Sequence, residues 1–457
     1  MSRLKSAQQL ETEFLERYGA VAERNNFFDP SFFEKFNVKR GLRNSDGSGV
    51  VVGLTEIGEV HGYVMNEGEK QDVYGRLRYR GYDVKDLVAG FQKEKRFGFE
   101  ETAFLLLFGN LPRQSELTDF SHFLGSLRKL PDGFVEDVIL RFPSPDIMNQ
   151  LARAVLFTYS FDSDPEDYSI KNILRQSVEL ISRFPSYIAY SYQAKRHYYD
   201  KKSLLIHHPQ PDLSTAENFL YMVRHDNHFT PLEAEILDLA LVLHAEHGGG
   251  NNSTFSIRLV SSAGTDTYSA MGSAIGSLKG IKHGGANIRV MKMIDDIKAG
   301  CPHWDDEKAL AEYLKRIVRK EVFDQQGLIY GMGHAVYTLS DPRAELLKDK
   351  ARELAAEKGL MKNFSLYEAI ERLTPEVMLE VKGSKKAICA NVDLYSGFVY
   401  EMLNIPRELF TPIFAMARVA GWSAHRIEEI VSGGKIIRPA YKNVSDKNEY
   451  MDVEARG

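Results

Sequence analysis

The sequence predicts a mainly α-helical fold opened by short β-hairpins, and two observations carry that expectation. From Asp83 onward, segment after segment places apolar residues three and four apart, the period of a helix with one buried face. Alternation at period two is confined to the stretch between Gly41 and Asp83, where VVVGLTEIGEVHGYVMN reads as one or two hairpins.

Taken in order, the chain opens on an amphipathic helix with Leu4, Leu10, Phe14 and Leu15 on one side. After the hairpins, helical periodicity covers 83–94, 99–108, 115–129, 146–160, 166–196, 214–224 and 230–247. It continues over 269–279, 288–298, 305–322, 342–358, 394–403 and 411–431. Asp341-Pro342 is an N-cap followed by proline at the first helical position, and Thr411-Pro412 repeats the signal. Asp305 or Asp306 caps the helix carrying Leu310 and Leu314. Gly421 is expected to break or bend the last helix near Trp422. Small residues Ala270, Ala274, Gly276 and Ser277 permit close helix packing, inside the chain or between copies. No 20–50-residue repeat is evident, against a solenoid. The polar 443–457 stretch reads as a tail.

The 457 residues are 43% hydrophobic and 26% charged, ordinary for a globular protein large enough to need no staple. Two cysteines, Cys301 and Cys389, suit a reducing compartment and read as inert buried thiols. The net charge is −5 and no basic stripe stands out, so no nucleic-acid partner is expected. Local arginines would have to hold an anionic ligand against that charge. The opening MSRLKSAQQLETEFLERYG has no apolar signal region, and no apolar run reaches ~20 residues, so a cytosolic protein without a membrane span is expected.

Three short stretches concentrate the chemistry: K-H-G-G-A-N at 282–287, G-M-G-H-A-V-Y at 331–337 and N-V-D-L-Y-S-G at 391–397. They offer His283, His334 and Asp393. Two imidazoles and a carboxylate are what is needed to take a proton from carbon and stabilise the resulting enolate. His283, just before a helix N-terminus, is disposed to stay neutral and donate a hydrogen bond. Asp393 reads either as the cap of 394–403 or as a base, with Ile388, Ala390, Val392 and Leu394 to raise its pKa. Arg343 reads as a surface salt bridge or as a pocket partner of His334. Arg418 and Arg438 stand in apolar stretches, where a guanidinium needs a carboxylate from protein or ligand. In H-A-E-H-G-G-G-N-N-S-T-F at 244–255, His244 and His247 read as a metal pair, a structural pair or an anion site. Their spacing departs from the zinc-protease motif. The following glycines with Asn251, Asn252 and Ser253 read as a polar loop that lets backbone approach a ligand.

With Y-R-G-Y-D at 79–83, D-P-R at 341–343 and R-P at 438–439, these motifs resemble the citrate/2-methylcitrate synthase superfamily from about Tyr79 to Tyr441. The resemblance implies a two-domain helical fold, with a large domain of 1–285 plus 393–457 and a small mobile domain of 286–392. It implies that Asp393 deprotonates an acyl-CoA, His283 holds the enolic oxygen and His334 polarises the oxaloacetate ketone. His247, Arg343 and Arg418 would grip carboxylates, with Arg438 supplied by the second subunit of a homodimer. Ser253 and Asn251 would support the catalytic histidine. Leu328, Ile329, Tyr330, Gly331, Met332, Gly333 and Asn391 would face coenzyme A. No metal and no resident cofactor are implied, acetyl-CoA being a substrate. Thr338 stands where many relatives carry a basic residue toward the CoA phosphates, which implies weaker CoA affinity or a substitute cation. Propionyl-CoA is the alternative substrate. Rival classes are a noncatalytic anion-binding homologue and a metal hydrolase built on His244 and His247.

Overall fold

A computed structural model describes residues 6–44, 46–67 and 69–456. Leu4 lies outside them. The chain forms two compact units, Met1–Val52 with Arg438–Gly457, and Gly53–Ile437. The expected boundaries at 286 and 392 fall inside the second.

In the first unit, helix Ala7–Asn25 is started by a reciprocal capping box between Ser6 and Gln9. Its apolar side is uncovered: Leu10, Phe14 and Leu15 are 54%, 61% and 59% exposed. Lys442 lies over the ring of Phe36 at 5.5 Å, which ties the two ends of the chain together.

The second unit begins with an antiparallel sheet of β1 (Gly58–Asn66), β2 (Glu69–Tyr79) and β3 (Tyr82–Asp83), ordered β1-β2-β3. It explains the Y-R-G-Y-D motif. Tyr79 is buried and its hydroxyl donates to the carbonyls of Val242 (3.0 Å) and Glu246 (3.2 Å), satisfying groups that the end of helix Pro231–His244 leaves open. Arg80 reaches the Leu106 carbonyl, and Asp83 caps helix Val84–Lys93.

The remainder is helical, and its axis is Phe410–Val431, buried along nearly all of Phe410–Arg426. Helices Phe99–Phe108, Ile170–Tyr198, Pro231–His244, Asn252–Ser261 and Thr267–Lys279 pack around it. Gly421 does not break this helix. A Cβ there would sit 2.3 Å from the Ala245 carbonyl oxygen, so the glycine permits a close crossing. Thr411 is not the cap either. It lies in the first turn and donates its hydroxyl to the Gly284 carbonyl at 2.8 Å. Between the two candidates, Asp306 caps Glu307–Val318. Among the described residues three α-helices were not expected, the first being the short Ser31–Lys35. Asn252–Ser261 occupies the supposed polar loop, and Met361–Lys382 runs through Pro375. No helix among the described residues is long and apolar enough to cross a membrane.

Candidate active site

The site forms around the end of Pro231–His244, the start of Asn252–Ser261, the turn 281–285, the loop before Pro342–Glu357, and the start of Val392–Met402. Each contributes residues through a local device.

Arg418, fully buried on Phe410–Val431, donates from Nε to the His244 carbonyl at 2.6 Å and lies over the Phe414 ring at 4.7 Å. Both terminal nitrogens are buried with no hydrogen-bond partner among the described residues. Burial pushes its pKa down to about 10, partly offset by Glu246. A buried guanidinium with two empty donor groups is costly unless an anion fills them.

Arg343 is buried too, but complete on one side. It pairs with Asp341 through Nε (3.0 Å) and Nη2 (2.7 Å), while Asp341 also caps Pro342–Glu357. Burial works against its charge, and Asp341 more than offsets this, leaving the pKa above the ordinary arginine range. The pair is therefore interior, not a surface salt bridge.

His334 accepts at Nδ1 from the amides of Val336 and Tyr337, both at 3.1 Å. Amides only donate, so the ring proton sits on Nε2. The ring stacks on Tyr337 at 4.7 Å and meets His247 edge-on at 5.2 Å.

His283 is pinned in the opposite sense. Its Nε2 lies 3.1 Å from Ser253 Oγ and 3.4 Å from the Ser253 amide. The amide must donate, so Nε2 is the acceptor and the proton sits on Nδ1. Ser253 is itself held by Asn251 Oδ1 at 3.0 Å and Trp422 Nε1 at 3.1 Å. Burial, then Arg418, lowers the His283 pKa to about 4. Neutrality thus comes chiefly from desolvation, where the sequence pointed to a helix terminus.

His244 and His247 are buried and held neutral, first by burial and then by Arg343 and Arg418 among other charges. The His247 Nε2 and both ring nitrogens of His244 have no hydrogen-bond partner among the described residues. His244 stacks on Phe414 at 4.4 Å. No cluster of three or more His, Cys, Asp or Glu among the described residues is arranged to hold a metal ion. Between the two histidines, Glu246 accepts from His425 Nε2 at 3.0 Å and from the Gly248 amide.

Asp393 is not the helix cap. Asn391 is, accepting from the Asp393 amide at 3.0 Å. The Asp393 carboxylate accepts no hydrogen bond among the described residues. Burial raises its pKa to about 6, with Arg343 pulling down and Asp341 pushing up. Such a carboxylate is a stronger base than an exposed one.

The two glycine-rich motifs are tied together by an antiparallel bridge between Met332 and Ala390. The Gly333 amide donates to the Cys389 carbonyl at 2.7 Å, and Asn391 Nδ2 to the Gly333 carbonyl at 2.8 Å. Gly331 has φ +83°, and a Cβ there would lie 2.9 Å from Leu394 Cα. Ile329 is buried, Leu328 exposed, and Tyr330 receives Arg289 Nη1 at 3.1 Å. Thr338 is buried.

One electrostatic neighbourhood therefore contains His244, His247, His283, Arg343, Arg418 and Asp393, since the two arginines act on the histidines and Arg343 on the aspartate. His334 joins it through His247. Arg438 lies in the other unit and is exposed. Sequence reasoning missed Trp422, Glu246 and Phe414 as parts of the site, and saw Asp341 only as a cap. No local motif marks Trp422 or Phe414, whereas Glu246 stands inside the H-A-E-H stretch.

A protein-family model described as "Citrate synthase, C-terminal domain" matches residues 45–440. Citrate synthase of Haloferax volcanii is 35% identical over 387 residues, 84% of this chain and 93% of that one. 2-Methylcitrate synthase 1 of Corynebacterium glutamicum is 33% identical over 426 residues, 92% and 98% of the two chains. A solved ternary complex of carboxymethyl coenzyme A and oxaloacetate with citrate synthase from Thermoplasma acidophilum aligns with TM-score 0.74 at 26% identity, covering 91% of this chain and 99% of that one.

Proposed function

Because the chain belongs to the citrate synthase family, we propose that it condenses oxaloacetate with acetyl-CoA to give citrate and free CoA. The observation that carries this reading is Arg418, buried with both terminal nitrogens unpartnered beside Arg343 and neutral histidines. That is a receptor for a small dicarboxylate.

Asp393 takes a proton from the acyl methyl group, and the Nδ1–H of His283 holds the thioester oxygen as it becomes enolic. The Nε2–H of His334 polarises the ketone of oxaloacetate. The enol carbon then attacks that ketone carbon, forming the carbon–carbon bond. Water hydrolyses the thioester, releasing CoA with its thiol proton. His247, Arg343 and Arg418 hold the carboxylates, and Ser253 with Asn251 keeps His283 in its tautomer. Residues 328–333 and Asn391 face the CoA chain. Acyl-CoA is consumed as substrate, and no resident cofactor takes part.

The working form is a cytoplasmic homodimer in which Arg438, exposed here, completes the site of the other subunit. Residues 286–392 move as a small domain and exclude water on ligand binding. Identical domain angles in free and oxaloacetate-bound crystals would overturn that motion. The Corynebacterium relative favours a second reading, propionyl-CoA in place of acetyl-CoA. One methylene changes specificity only ~10–200-fold, so the two activities can coexist.

The test is thiol release from each acyl-CoA in the presence of oxaloacetate. The faster substrate decides between the readings, and no release with either ends both. Asp393→Ala should cut turnover by ~10²–10⁴-fold while leaving oxaloacetate binding within twofold.

A further inference from the structure

Helix Val392–Met402 carries Asp393, Ser396 and Tyr400 at i, i+3 and i+7, which fall on one stripe. Ser396 and Tyr400 are fully buried, and neither hydroxyl has a hydrogen-bond partner among the described residues. Two hydroxyls on Met361–Lys382 behave differently: Ser365 and Thr374 both bond the carbonyl four residues back. Ser396 does not, so its hydroxyl remains available to something else. Side chains on a helix lean toward its N-terminus, which directs the Tyr400 phenol, packed on Phe410 at 5.2 Å, back along the stripe toward Asp393. Burial, and after it the Asp393 charge, raise the Tyr400 pKa. Across the stripe, the Asn287 carbonyl lies 3.5 Å from where a Gly397 Cβ would stand, and Asn287 Oδ1 is also buried without a partner.

Three buried polar atoms, two of them on the helix that carries the ionisable carboxylate, therefore lack a partner among the described residues. Leaving a buried hydroxyl unsatisfied is costly, and a recess with several polar partners holds water. We propose that Tyr400, with Ser396 beside it, is a positioning residue that donates through one ordered water to the Asp393 oxygen that does not receive the substrate proton. This rests on the reading of Asp393 as the base. The charges acting on Asp393 are Arg343 and Asp341, at the start of the packed helix Pro342–Glu357. Arg407, on the adjoining turn, is bound to Asp295 and Glu401. A hydrogen bond donated to the carboxylate favours its charged form, so removing it raises the pKa of the base.

Tyr400→Phe should therefore lower kcat by ~10-fold, a charge-assisted hydrogen bond's worth. It should move the acidic limb of the pH–kcat profile upward by about one unit, with the KM for oxaloacetate unchanged within twofold. Ser396→Ala should move both in the same direction by less, and it carries the test if Tyr400→Phe does not fold. A Tyr400→Phe enzyme with kcat within twofold of the parent and an unmoved limb overturns the proposal. Asp393→Asn runs in parallel. If it is inactive while Tyr400→Phe matches the parent, only this inference falls. If Asp393→Asn retains turnover, the assignment of the base falls and this proposal with it.

Discussion

Arg343 and Arg418 are equally buried and serve the same site, yet their surroundings are opposites. Arg343 is answered from its own sequence: Asp341, two residues earlier, pairs with it and caps its helix. Arg418 is answered only in part, by a carbonyl of a distant segment, and its terminal nitrogens have no acceptor among the described residues. The first arginine is held on one side by a carboxylate of its own segment, and the second leaves both terminal nitrogens open to an anion. A buried charge is a stabilising element or a binding element according to whether the protein supplies the counter-charge.

The largest effect separating the two is on stability. Arg343→Met strands Asp341 in the interior and should cost ~3–5 kcal/mol, read by urea denaturation of the unliganded protein. Arg418→Met breaks no hydrogen-bonded ion pair and fills similar volume, and it removes only a through-space charge from the buried Glu246, so the unliganded midpoint should fall by much less. Equal losses in both variants would break the comparison. The second effect is on binding. Arg418→Met should weaken oxaloacetate by ~100-fold, the equivalent of losing a hydrogen-bonded ion pair of ~1.5–3 kcal/mol. The oxaloacetate-induced rise in melting temperature should shrink accordingly.

The same contrast marks what could be read from the chain. The Arg343 half is local, so D-P-R disclosed the cap, the proline and the arginine together. The Arg418 half draws on His244 and Ser253, His283 and Trp422, three segments far apart along the chain. Long periodic helices were legible almost throughout. Asn252–Ser261 was not, because a glycine run and paired asparagines are turn chemistry in isolation, and tertiary packing overrides them. Met361–Lys382 was obscured by Pro375. Gly421 was mistaken for a break because its purpose, a close approach to Ala245, exists only in three dimensions. Asp393 read equally as a cap or as a base because Asn391 and Asp393 are both cap-forming residues at a helix start, and only the hydrogen bond tells which one caps.

Asp393 extends the comparison, since Arg343 acts on it directly. Its folded pKa of about 6 stands above the unfolded ~3.9. Between those values the folded chain keeps a proton that the unfolded chain has lost, so stability falls as pH rises through the window. His244, His247 and His283 act in the other sense. Their folded pKa values lie below the unfolded ~6.5, so their contribution is lost as pH falls. Asp393→Asn isolates the first effect. It should be more stable than the parent by about 2 kcal/mol at pH 8, discounted for partial exposure, with the gap closing by pH 4. An equal gap at both pH values would place the shift elsewhere.

The smallest expected effect concerns the two imidazoles, whose tautomers the two halves fix differently. His334 is set by two backbone amides, which no substitution at a neighbouring side chain removes. His283 is set by the Ser253 amide at 3.4 Å, and the Ser253 hydroxyl, 3.1 Å away, divides its single proton between Nε2 and Asn251 Oδ1, so part of the ring's orientation depends on a replaceable group. Ser253→Ala removes that hydroxyl and leaves Trp422 Nε1 without its acceptor. Turnover should fall by ~5–10-fold, the scale of one neutral hydrogen bond of ~1 kcal/mol, while oxaloacetate affinity stays within twofold. The remaining amide keeps the loss from being larger. Nitrogen chemical shifts of the imidazoles give the direct reading: His283 should become a mixture of tautomers in the variant, and His334 should remain protonated on Nε2. A variant in which both rings keep single, unchanged tautomers would mean that the backbone amide alone orients His283, as it does His334, and the two halves would then be alike in this respect.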